Sequence, residues 1–144
     1  MTVSNAARSG ARTGSTAADH PLADTTILEV VEEDACNLRY GDLESVTIFE
    51  ADPIDGSIPD PPGSLVNIYT PSGALQCGAA GHVLVCANGC PWDPVTLRDN
   101  VPPTMDAVGV EVIFSHSTIT GLFPLPTVTW SEIAVMQLEP DTRG

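Results

Sequence analysis

Residues 106–140 read DAVGVEVIFSHSTITGLFPLPTVTWSEIAVMQLEP, and the reading of this stretch decides the fold. Val108, Val110, Val112 and Phe114 alternate with Gly109, Glu111, Ile113 and Ser115, the period-two pattern of a strand with one face buried. Thr127 to Leu138 is rich in Val, Thr, Trp and Ile and long enough to be a full partner strand. Gly121, Pro124 and Pro126 punctuate the link. Two long strands joined in this way are expected to form the centre of an antiparallel sheet. No catalytic pattern lies within them.

Working outward, Leu43–Glu50, Leu65–Thr70 and Val83–Cys86 are further strand candidates, separated by turn-rich segments with Pro and Gly. In Leu22–Leu38 the apolar residues Leu28, Val31, Ala35 and Leu38 recur at helical steps, with Ile27 on the same face and Glu29, Glu32 and Glu33 directed elsewhere. This predicts an amphipathic helix covering the sheet, with Asp19 as a cap, Pro21 near its first turn and a stop near Tyr40-Gly41. Before it, TVSNAARSGARTGS carries two stripes at helical spacing. One is small (Ala7 and Ala11, with Ala6, Gly10 and Gly14 beside it) and the other is basic (Arg8 and Arg12). Gly10 and Gly14 each weaken an isolated helix by about 1 kcal/mol relative to Ala, so the segment needs a neighbour. Small residues permit close helix-to-helix approach. The organisation expected is one α+β domain, with an N-terminal helical segment at 1–40 packed on a mainly antiparallel, β-rich part at 41–144.

Composition narrows the function. A chain of 144 residues with 42% hydrophobic content supports one domain with a real core, and 13 Pro with 12 Gly fit a loop-rich β or α+β fold. Nineteen acidic residues oppose five Arg and no Lys, a net charge of −14, which argues against nucleic acid and anionic lipid surfaces as partners. There is no apolar run of transmembrane length and no signal-peptide core within the sequence.

The cysteines point to an oxidising compartment. Cys36 ends the amphipathic helix, and Cys77, Cys86 and Cys90 cluster later. Four cysteines allow three pairings, and if all are paired at least one bond ties Cys36 to the Cys77–Cys90 region. Zinc is the weaker reading, since Cys86 and Cys90 offer a single knuckle, and the absence of C-x-x-C weakens a redox motif further. Secretion requires a targeting segment, expected upstream of Met1. Asp52, Asp55 and Asp60 make the Pro-rich loop after the first strand the best cation candidate, although their spacing is not that of an EF-hand. His20, His82 and His116 are scattered, and no nucleophile elbow, P-loop, zinc-protease or dinucleotide motif is present. Arg98, among acidic residues, reads as an ordinary surface ion-pair partner. No enzyme, cofactor or metal is expected.

Three segments add a resemblance: VSNAARSGARTGS, GDLESVTIFEAD, and GVEVIFSHSTITGLFP running on to MQLEP. Together they resemble the TadE/TadG-like proteins of the Tad (Flp) type IV pilus system, the actinobacterial branch in particular. The resemblance implies a pilin-like fold and a non-enzymatic minor pilin or pseudopilin. It further implies a membrane anchor through a transmembrane helix that would precede AARSGAR, a location at the cell surface, and contact with other pilins or Tad assembly proteins through the N-terminal helix. Helix-packing candidates are then Ala7, Arg8, Gly10, Ala11, Arg12 and Gly14. Two other classes compete: a surface binding module, adhesin-like and using Ca²⁺ at Asp52–Asp60, and a small secreted hydrolase.

Overall fold

The structure, a computed structural model, describes residues 2–38, 41–60, 65–116, 119–120, 123–124 and 127–140. Helix α1 (Val3–Ala17) begins at Thr2, whose side-chain oxygen accepts the Asn5 N–H as an N-cap. Helix α2 (Ala23–Cys36) follows after a short turn. Its start differs from the expected one: no side chain caps it, and the imidazole Nδ1 of His20 accepts the Leu22 N–H at 3.1 Å. Its end comes earlier than Tyr40-Gly41, because Asn37 closes the helix and Gly41 already opens the first strand. Tyr40 lies outside the described residues.

Five strands form one sheet: β1 (Gly41–Glu50), β2 (Val66–Pro71), β3 (Leu84–Cys86), β4 (Ala107–His116) and β7 (Val128–Gln137). A four-residue helix α3 (Pro94–Leu97) precedes β4, and a two-stranded ribbon of β5 (Ile119–Thr120) and β6 (Phe123–Pro124) falls between β4 and β7. Gly121 and Pro126 of the expected link lie outside the described residues. The order is β3-β2-β1-β4-β7 and every pairing is antiparallel. The expected α+β class, with helices on an antiparallel sheet, is what the chain forms.

One expectation is corrected. The β4–β7 pair is real, with Val110 opposite Ala134 and Phe114 opposite Trp130, yet it is not the centre of the sheet. Among the described residues β1 holds the middle and β7 is an edge. Period-two alternation reports that one face of a strand is buried; it carries no information about lateral neighbours.

The two faces are covered differently. α1 crosses β4 and β7, and α2 lies against α1, so Val46, Ile48, Val108, Val110 and Val112 are sealed beneath the helices. On the opposite face Phe49, Ala51 and Val66 make a second small cluster, with Ile58 reaching in from the 51–60 loop. Gly109 is there for a steric reason: a Cβ at that position would collide with the ring of Phe49.

Candidate functional site

The small-residue face of α1 is used inside the chain. Ala6, Ala7, Gly10, Ala11 and Gly14 are buried. A Cβ placed on Gly10 would stand 2.8 Å from Val31 of α2 and 3.2 Å from Val110 of β4, and one on Gly14 would stand 2.9 Å from Ile27 and 3.2 Å from Val108. Those distances explain the glycines: α1 approaches α2 and the sheet too closely for a methyl group. Ser15 and Thr16 fasten the far end, Ser15 Oγ donating to the Gln137 carbonyl at 2.6 Å and Thr16 Oγ1 to Glu139 at 3.4 Å. Arg8 and Arg12 lie on the exposed side, lining a groove of about 500 Å³ with Asn5 and Asp34.

Arg98 overturns its surface reading. Its side chain is 0% exposed and pairs with Asp24 in the first turn of α2. The same carboxylate accepts the Tyr69 hydroxyl at 2.7 Å and the Asn67 amide at 2.8 Å, both from β2. Asn67 also bonds the Trp92 backbone in both directions, at 2.7 and 2.9 Å. The guanidinium sits 4.2 Å from the centre of the fully buried Trp92 ring, a cation–π contact. Burial first, then the Asp24 carboxylate, holds the Tyr69 phenol protonated well above the ordinary tyrosine range. None of these five side chains lines the grooves at α1. The cluster joins α2, β2 and the α3 region as a polar knot in the core.

Both disulfides form: Cys36–Cys77 and Cys86–Cys90. The first ties the end of α2 to the loop before β3, and two glutamates of α2 reinforce it. Glu32, read from the helix pattern as pointing away, is 1% exposed and accepts the backbone N–H groups of Gln76 at 2.6 Å and Val83 at 2.9 Å. Glu33 accepts that of Gly78 at 3.2 Å. A buried carboxylate needs such donors, and here it organises a loop. In the acidic loop the carboxylates also serve the backbone: Asp52 accepts from Ile54 at 2.8 Å and Asp55 from Ser57 at 2.9 Å. The Ser57 bonds hold the Asp55 carboxyl below its usual range. Among the described residues no group of three or more His, Cys, Asp or Glu is placed to hold a metal.

A groove of about 830 Å³ opens at the start of α1 between Val3, Leu38, Phe114 and Trp130. His116 stacks on Trp130 with ring centres 6.4 Å apart. His20, caught by the Leu22 N–H, borders a separate polar groove with Asp19, Asn100 and Glu139, and His82 is half-buried near β3. The three histidines stay apart, and every cysteine is in a disulfide.

Two helices on one face of a five-stranded antiparallel sheet, fastened by two disulfides, make this an α+β domain of the extracellular or secreted kind. No helix among the described residues is long and apolar enough to cross a membrane. No protein-family model, curated protein or solved structure matches the chain.

Proposed function

We propose that the chain is a non-enzymatic structural or assembly component of a surface fibre, of the minor-pilin or pseudopilin kind found in the Tad/Flp system. The proposal includes a membrane-anchoring helix upstream of residue 1. The observation that carries it is the seating of α1. The helix is clamped along its length by Gly10 and Gly14 against α2 and β4, while its first residues, Thr2 to Ser4, border an open groove at the end of the sheet. A helix held this rigidly by its own domain is suited to carry that domain on an anchor and to fix its orientation. The buried polar groups Asp24, Asn67, Tyr69, Arg98 and Glu32 are engaged in scaffold bonds, which supports a structural role.

The partners in this reading are other pilins or pilus-assembly proteins. Ala7, Gly10, Ala11 and Gly14 are occupied within the domain. Contact is therefore assigned to the upstream helix and to the exposed stripe of Arg8 and Arg12. Deleting the gene and scoring surface fibres by electron microscopy tests the reading. Loss or altered number of fibres, restored by the wild-type gene, is the expected result; unchanged fibres would sink it. An apolar run of about 20 residues encoded upstream is expected as well.

A further inference from the structure

β7 is an unusual edge. It has ten residues, carries β4 on one side, and has no strand on the other among the described residues. Long edge strands are normally blunted by Pro, Lys, a bulge or a covering segment, because their free N–H and C=O groups invite another strand. Val128–Gln137 holds neither Pro nor Lys, its pairing with β4 runs without a register shift, and its single charge is Glu132. Its apolar residues are left in solvent on both faces: Val128 is 44%, Trp130 55%, Ile133 46% and Val135 39% exposed. These are four of the ten large hydrophobic side chains exposed in the described structure, so the exposure is concentrated on this strand.

We propose that β7 pairs antiparallel with β7 of a second copy, joining the two sheets into one of ten strands. A twofold axis perpendicular to the sheet keeps each face on its own side, so residues of like face meet and two near-complete registers exist. In one, Glu132 stands directly opposite Glu132 of the second copy, which is unfavourable. In the other, the axis passes between the two Ile133 side chains. Trp130 then faces Met136, Ser131 faces Val135, and Glu132 faces Ala134. That register sets Ile133 against Ile133 on one face and Trp130 against Met136 on the other, and it moves the two Glu132 carboxylates from directly opposite to diagonal.

One other feature fits a second copy. The groove of about 830 Å³ beside Trp130 lies along the same edge on the helix side. It adds side-chain contact to the backbone pairing, toward the roughly 800 Å² per partner of a standard interface. The inference does not depend on the pilus reading.

Light scattering on the wild-type chain over a concentration series tests it. A mass of twice 15.0 kDa is expected at high concentration. Ile133→Lys, at an exposed side chain, is expected to return the mass to 15.0 kDa with unchanged circular dichroism. Ile133→Cys is expected to form a covalent dimer under mild oxidation, at least tenfold faster than Thr129→Cys, whose position faces Gln137 in this register. A wild-type mass of 15.0 kDa throughout, leaving the edge to a foreign strand, overturns the proposal. So do larger open-ended assemblies, a dimer that survives Ile133→Lys, or equal cross-linking of the two cysteine variants.

Discussion

Replacing Asp24 with Ala removes the acceptor shared by Arg98, Tyr69 and Asn67. The Arg98 side chain is 0% exposed, and its Nε and Nη1 atoms have no hydrogen-bond partner among the described residues even in the intact cluster. After the substitution the guanidinium keeps only the Trp92 carbonyl at 3.4 Å and the Trp92 ring at 4.2 Å. Breaking a buried pair in this one-sided way costs about 3–5 kcal/mol, because a charge is left uncompensated in the core. Against a typical stability of about 5–15 kcal/mol that is a large fraction. Adding Arg98→Met removes the stranded charge, and the double variant is expected to recover at least about 2 kcal/mol relative to Asp24→Ala. Urea denaturation of wild type, both single variants and the double variant completes the cycle. A single-variant cost under about 1 kcal/mol, or strict additivity, would refute the description of this cluster as a buried ionic knot.

Three further outcomes are expected. Gly10→Ala must push Val31 and Val110 aside, an overpacking cost of about 1–3 kcal/mol that outweighs the gain of about 1 kcal/mol in helix propensity. Thermal melts should place it below Gly14→Ala, whose nearest obstacle is the mobile δ-methyl of Ile27. Removing the Cys36–Cys77 bond, which spans 41 residues, is expected to cost about 4 kcal/mol by the chain-entropy estimate, against about 2 kcal/mol for Cys86–Cys90, which spans four; denaturation of the two Cys→Ser pair variants checks the order. Burial, with the Asp106 carboxylate beside it, raises the Glu50 carboxyl above its ordinary 4.5, so charging this group costs stability as pH rises from about 4.5 through the folded value. Glu50→Gln should therefore raise the melting temperature near pH 7 and have no such effect near pH 3.5, as melting curves at the two values would show.

The elements were legible where a single face decides them. The alternation in Val108–Phe114 and the helical steps in Ile27–Ala35 each report one buried side, and both elements form as read. What the sequence could not convey is contact at long range. Arg98 lies 74 positions from Asp24, and nothing adjacent to it reveals that a carboxylate waits in the core. One signal was present: an arginine six residues after Trp92, in a chain with few cations, invites a cation–π reading. Glu32 was misread because a helical wheel marks a residue as core-facing or solvent-facing. It has no category for a flank roofed by a loop 44 to 51 residues away. The aspartates of the 51–60 loop were weighed as cation ligands, when their short spacing equally suits capping of the next backbone amides.

The bond between Cys36 and Cys77 also has a mechanical meaning. It encloses β1 and β2 in a covalent ring that runs from Cys36 to Cys77, a sequence separation of 41. Tension applied between the two ends of the chain travels through α1 and α2, crosses the sulfurs, and continues to β3, β4 and β7. β1 and β2 bear none of it directly, and about 140 Å of extended chain is withheld from stretching. A domain loaded from its ends on the outside of a cell would yield first at its helices and its outer strands, and would keep a template on which they could re-form.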